Sequence, residues 1–250
     1  MKITLYSICL FLILLMACTG KEPHEFAVEQ PQSLSMDSIA ADTSKVLMAS
    51  LPVFFDSTRV LIHHIGFESI KEKREREKLV FSKGGGYIED SYSFRFNKEY
   101  DSFSGNIVNL YFENAETGEQ RLLTDKALNI TSAVYQRALA NKTGRHYLIY
   151  QVFDKDYNGD GKLNYYDIPA LYVSTLDGKD FTKITSDFHA FVDGRMVMMN
   201  ERYYFCTYED VDRNCRFDNK TDKYHYYYID FSSSLYKVVE YNPFGTIYGN

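Results

Sequence analysis

One stretch of this 250-residue chain has residue types and spacing that suit a defined chemistry: residues 156–167, Asp-Tyr-Asn-Gly-Asp-Gly-Lys-Leu-Asn-Tyr-Tyr-Asp. Asp156, Asn158 and Asp160 offer side-chain oxygens at alternate positions. Gly161 allows a sharp reversal, Lys162 offers its backbone carbonyl, and Asn164 and Asp167 bring oxygens on the return. Six to eight oxygens at such spacing are what a hard cation, Ca²⁺ above all, requires. The competing reading is an Asx-rich turn without metal, because Asn-Gly and Asp-Gly are common in hairpins. The full spacing favours the metal.

This stretch resembles the calcium loop of EF-hand proteins. Asp156, Asn158 and Asp160 fall at loop positions 1, 3 and 5, Gly161 at 6, Lys162 at 7, Leu163 at the inward position 8, Asn164 at 9 and Asp167 at 12. Asp in place of Glu at position 12 implies weaker binding, in the ~10⁻⁵–10⁻³ M range of extracellular modules, and a stiffening rather than a signalling role. The flanks depart from the family. Tyr147 to Phe153 and Ala170 to Val173 read as strands and Pro169 interrupts any exiting helix, so the loop is expected inside a β-hairpin.

Sliding the chain by 56 residues lays Asp154, Asp156 and Asn158 on Asp210, Asp212 and Asn214 without a gap. The second acidic turn would be completed by Asp218 or by Asp222. Cys215 stands where the first copy has Gly and Thr221 sits at position 12, so this copy is expected to be degraded and more often empty than filled. Cys215 also forms a candidate disulfide with Cys206, a closure worth ~2–3 kcal/mol in the chain-entropy model. Two free thiols are the equal alternative, because spacing does not fix geometry.

Residues around these turns have the texture of strands: 4–8 residue runs rich in aromatic and β-branched side chains, separated by Gly, Asn and Asp. A second self-match, near 61 residues, lays Leu110-Tyr111-Phe112, Thr117-Gly118 and Leu123-Thr124 on Leu171-Tyr172-Val173, Asp177-Gly178 and Ile184-Thr185, with a looser third copy at 226–239. These hairpins resemble the blades of TolB-like β-propellers. The resemblance implies an all-β fold of antiparallel sheets in about four repeated blade-like units spanning 51–250, a small or incomplete propeller. A β-sandwich is the alternative.

The N-terminus places the chain in the cell. Ile3 to Ala17 is almost wholly apolar behind a single Lys, too short to span a ~30 Å hydrocarbon core comfortably. Residues 1–17 read as a signal peptide. Leu15-Met16-Ala17-Cys18 resembles a bacterial lipobox, which implies a lipidated Cys18, and Thr19 rather than Asp after it favours the outer membrane. Residues 18–50, with two Pro, five Ser and one aromatic, read as a flexible tether reaching roughly 30 Å.

Without residues 1–17 the net charge is −7, of which the tether carries −3 and the two acidic turns −2 each. The rest of the body is balanced, and with this excess of carboxylates a nucleic-acid function, which needs a basic face to neutralise phosphates, is disfavoured. The histidines show no ligand spacing, Gly84-Gly85-Gly86 lacks the Lys-Ser/Thr of a phosphate loop, and no Gly-x-Ser-x-Gly elbow occurs. Tyr224 to Tyr228 is either a stacking surface or an alternating strand with half its rings in a core. Two functions follow: a calcium-stabilised, lipid-anchored module that binds an envelope protein or glycan, or a propeller-type hydrolase acting on glycans. A hydrolase would show carboxylates converging on a pocket away from the calcium loop; a binding module would show an exposed aromatic patch.

Overall fold

The computed structural model describes residues 31–35, 44–69 and 94–245. The expected signal peptide, Cys18 and the Gly84–Gly86 turn lie outside the described residues.

Ten strands form one antiparallel sheet: β1 (Lys45–Ala49), β2 (Val53–Phe54), β3 (Val60–Ser69), β4 (Phe94–Asn97), β5 (Ser102–Asn114), β6 (Gln120–Leu122), β7 (Asn129–Tyr135), β8 (Tyr147–Phe153), β9 (Ala170–Thr175) and β10 (Thr182–Lys183). Their order is β1-β3-β5-β7-β8-β9-β10, with β2 on β3 and with β4 and β6 on β5. A second antiparallel sheet runs in chain order through β11 (His189–Val197), β12 (Arg202–Glu209), β13 (Lys223–Asp230) and β14 (Lys237–Glu240). The all-β, antiparallel expectation holds.

Alternation along β8 explains the packing. Leu148, Tyr150 and Val152 enter a core built with Ile62 of β3, Leu110 and Phe112 of β5 and Ile130 of β7. Tyr147 and Ile149 point the other way, joining Leu171 and Val173 of β9, Phe205 and Ile229 of the second sheet and Phe231 just beyond β13. Both faces of β8 are therefore covered, which is why it reads as a nearly unbroken apolar run. Each such side chain contributes about 1.5–3 kcal/mol on burial.

Three hairpins close alike: Leu123 N–H donates to the Leu110 carbonyl (2.9 Å), Ile184 N–H to Leu171 (2.8 Å) and Tyr241 N–H to Tyr226 (2.8 Å). Gly178 turns the second with φ +75°, and a Cβ there would stand 2.4 Å from the Phe112 ring, so only Gly admits this approach of the hairpins.

Two features depart from expectation. The tether does not run free to residue 50: Lys45–Ala49 pairs with Ile65–Ser69 of β3 as an edge strand. Further back, Gln32 exchanges both backbone hydrogen bonds with Asp156 (3.1 and 2.9 Å), and Leu34 packs beside Ala127, Phe153 and Leu163. A short helix, α1 (Arg137–Thr143), also interrupts the strands. It lacks a side-chain N-cap and ends at Gly144, left-handed with φ 70°, whose N–H reaches the Ala140 carbonyl. Leu139 enters the core shared with the second sheet and Ala140 the other.

Candidate metal loops

Strand β8 runs directly into the first acidic loop and β9 leaves it, so a hairpin carries the loop as the flanks predict. Asp156 is buried. Its Oδ1 accepts the Gly159 N–H at 2.6 Å and its Oδ2 the Gly161 N–H at 2.8 Å. Asn158 and Asp160 accept the N–H groups two residues on, at 2.9 Å each. Asp167 closes the loop, taking the Tyr157 N–H on Oδ1 and the Asn164 N–H on Oδ2, both at 2.9 Å. Leu163 points inward against Phe153 and Ala127. Asp154 stays out of the loop, because its Oδ2 accepts from Lys183 Nζ (2.7 Å) and Tyr172 Oη (2.8 Å).

The second loop repeats these bonds with one residue inserted. Asp210 Oδ2 accepts the Cys215 N–H at 2.8 Å, as Asp156 does from Gly161. The closing carboxylate is Asp222, which takes the Val211 N–H (3.1 Å) and the Asp218 N–H (2.7 Å), the counterparts of Tyr157 and Asn164. Asp218 turns away to cap the Lys220 and Thr221 N–H groups. Backbone twist matches too: Gly159 and Gly161 have φ of 74° and 75°, and Arg213 and Cys215, at the same loop positions, 58° each. The second loop thus holds side chains in the left-handed region that the first reserves for Gly.

The two loops rank in the opposite order from the sequence reading in one respect. Asp210, Asp212 and Asp222 bring carboxylate oxygens within 4.8 Å of one another, the one His, Cys, Asp or Glu group of three to do so among the described residues. The carboxylates of Asp156, Asp160 and Asp167 do not gather as closely. Burial raises the Asp167 carboxyl above its ordinary range, and the charges of Asp156 and Asp160 add to this against the two N–H bonds. Burial raises Asp210 as well, with Asp212 beside it. Both loops therefore hold carboxylates short of compensating positive charge, which a bound cation would supply. Oxygen-only side chains suit Ca²⁺.

The loops touch. Cys215 Sγ donates to the Tyr157 carbonyl at 3.2 Å, and Cys215 packs on the cluster of Tyr157, Ile168, Phe188 and Ala190. The Arg213 guanidinium lies 4.9 Å from the Phe188 ring centre. Burial, with the charges of Asp210, Asp167 and Asp156, pushes the Cys215 thiol up to about 11. Cys206 and Cys215 are both free, so the candidate disulfide is not formed. Cys206 sits within β12 opposite Tyr226 and Asp193, while Cys215 is engaged between the loops.

Beside the second loop lies a cluster that spacing concealed. His225 donates or accepts at Glu209 (2.7 Å) and Glu240 (3.0 Å), and the His189 ring lies 5.1 Å from it. These residues come from four neighbouring strands, so only the register of the sheet unites them. The Tyr224–Tyr228 run alternates as strand geometry requires. Tyr227 and Ile229 face the core, while the outer face carries two ring clusters, Tyr224 with Tyr208 and Phe217, and Tyr226 and Tyr228 with Tyr204, Tyr241 and Phe244.

The chain matches no protein-family model and no curated protein.

Proposed function

We propose that this protein is an exported, lipid-anchored module that binds an envelope protein or glycan and is stiffened by Ca²⁺. The observation that carries the calcium assignment is the pair of acidic loops, which share first carboxylates 54 residues apart (Asp156 and Asp210) and closing carboxylates 55 apart (Asp167 and Asp222) and lie against each other. Asp156, Asn158, Asp160, the Lys162 carbonyl, Asn164 and Asp167 would hold one ion, and Asp210, Asp212, Asn214 and Asp222 a second. The three alike hairpin closures support a repeated, blade-like organisation. The outer aromatic face of β12–β14 supports docking of a partner. Cys18 is the proposed site of lipidation, and the outer membrane the proposed location.

The hydrolase reading draws less support. Asp177, an acid lining the cavity between the β5–β6 and β9–β10 hairpins, is tied to Lys179 (2.6 Å) and Thr175 (2.6 Å) rather than facing a second acid. Calcium is tested by thermal unfolding: saturation at 100 times Kd adds about 2.7 kcal/mol. Asp156→Ala with Asp160→Ala should remove one part of the shift and Asp210→Ala the other, and a shift unaltered in the triple variant refutes the assignment. The anchor is tested with Cys18→Ser, which should move the protein from the membrane to the soluble fraction.

A further inference from the structure

Outside the acidic loops, a cavity of about 370 Å³ opens between the β5–β6 hairpin, the β9–β10 hairpin and the turn before β3. Its volume is that of a small-molecule site. Its walls are polar and balanced: Glu113, Glu119 and Asp177 against Arg59, Arg121 and Lys179. The charges are interleaved. Lys179 pairs with Asp177 on the same hairpin at 2.6 Å, and Arg59 with Glu116 at 2.8 Å, so neither end of the cavity presents one sign. An anion finds no net positive field here, and an amino-acid zwitterion finds no separated poles.

A dense set of planar donors and acceptors remains. The guanidinium of Arg121, half-buried and opposite Phe112 in the β5–β6 register, makes no hydrogen bond or ion pair among the described residues. The Glu113 and Glu119 carboxylates likewise accept no hydrogen bond among the described residues, though the charge of Glu119 is felt at Lys179. His146 is held at Nδ1 by the buried Tyr135 hydroxyl at 2.7 Å, which fixes its ring as a lining group. Phe112, Val60 and Leu176 supply apolar surface between these groups. Vicinal hydroxyls, each both donor and acceptor, match paired oxygens of a carboxylate and paired N–H groups of a guanidinium, and need no net charge.

We infer that this cavity is a binding site for a neutral saccharide, read by Arg121, Glu119, Glu113 and His146. The site is separate from the outer aromatic face and does not depend on the acidic loops holding calcium.

The test is saturation-transfer NMR on the exported chain with maltose, cellobiose and the N-acetylglucosamine disaccharide, with glycylglycine as the zwitterion control, in calcium and again in chelator. Transfer to at least one disaccharide in both conditions, and none to glycylglycine, is the expected result. Arg121→Ala and Glu119→Gln, at surface positions where folding is not at risk, should each weaken it about tenfold, the loss of one hydrogen bond to a charged group. Tyr224→Ala, on the aromatic face, should leave it unchanged. Transfer to no disaccharide, transfer to glycylglycine alone, or saccharide binding that survives both cavity variants overturns the inference. Absence of any calcium-induced stabilisation in the unaltered protein, with saccharide binding intact, would refute the calcium reading and leave this one standing.

Discussion

Substitution of Gly161 tests the geometry of the acidic loop without reference to any ion. Gly161 has φ +75° and a Cβ built there meets nothing within 4 Å, so Gly161→Ala adds no clash and its cost is purely conformational. Holding an L-residue in the left-handed region costs roughly 1–2 kcal/mol. For a domain of this size each kcal/mol lowers Tm by about 2–4 °C, so the expected fall is about 2–8 °C. Gly161→Asn should fall by less, because Asn tolerates this region. The measurement is thermal unfolding followed by circular dichroism in chelator, which keeps loss of metal affinity out of the result. An unchanged Tm for Gly161→Ala, or equal falls for Ala and Asn, refutes the left-handed assignment. The second loop supplies the converse: Cys215→Gly relieves strain at φ 58° but loses the Sγ contact to Tyr157, and the two should nearly cancel.

Three further outcomes follow from the structure. Asp222→Ala should destabilise the protein by roughly 1–3 kcal/mol in urea titration by stripping acceptors from two N–H groups, and should remove the second loop's share of any calcium response. Asp218→Ala should spare that response. His64 has its pKa lowered to about 4 by burial, with the His63 charge adding to it, so the folded imidazole stays neutral where the unfolded one takes a proton near 6.5. Its contribution is complete above the unfolded pKa and is lost as pH falls from 6.5 toward 4, roughly 3 kcal/mol in all, and His64→Leu should flatten the urea midpoint over that window. Asp101 makes a two-pronged bond to Arg137 (2.5 and 2.7 Å) while held at φ 49°, so Asp101→Asn should cost roughly 1–3 kcal/mol and Asp101→Ala more, since Ala adds backbone strain.

Strand texture was legible in the sequence wherever alternating or doubly buried apolar residues coincide with turn chemistry, as in β5, β8, β9, β12 and β13. Strand β11 was hidden by Asp193-Gly194, which reads as a turn. In the sheet these residues follow a register shift, and Gly194 is needed because a Cβ would stand 2.4 Å from the Tyr203 hydroxyl. Helix α1 was hidden because it is only seven residues long, has no side-chain cap and is held by Leu139 and Ala140 packing into two cores. At the loops, fixed spacing showed Asp156, Asp167 and Asp210 but left Asp218 and Asp222 as alternatives, since a single inserted residue moves the closing carboxylate while the backbone bonds that define its place recur in both loops. The His225 cluster depends wholly on strand register, which no local spacing encodes.

The backbone pairing of Gln32 with Asp156 changes what a lipid at Cys18 would do. A free chain from residue 19 to 50 would let the body wander roughly 30 Å from its anchor. With residue 32 pinned to the first acidic loop, a lipid at residue 18 would be joined to the body through residues 19–31 alone, a length for which a freely jointed chain would reach roughly 20 Å. The fixed point also lies on one side of the body, beside the paired loops, so the anchored protein would hang from that corner with a preferred orientation. Ion occupancy at Asp156 would then bear on how firmly the molecule is hitched as well as on how stiff it is.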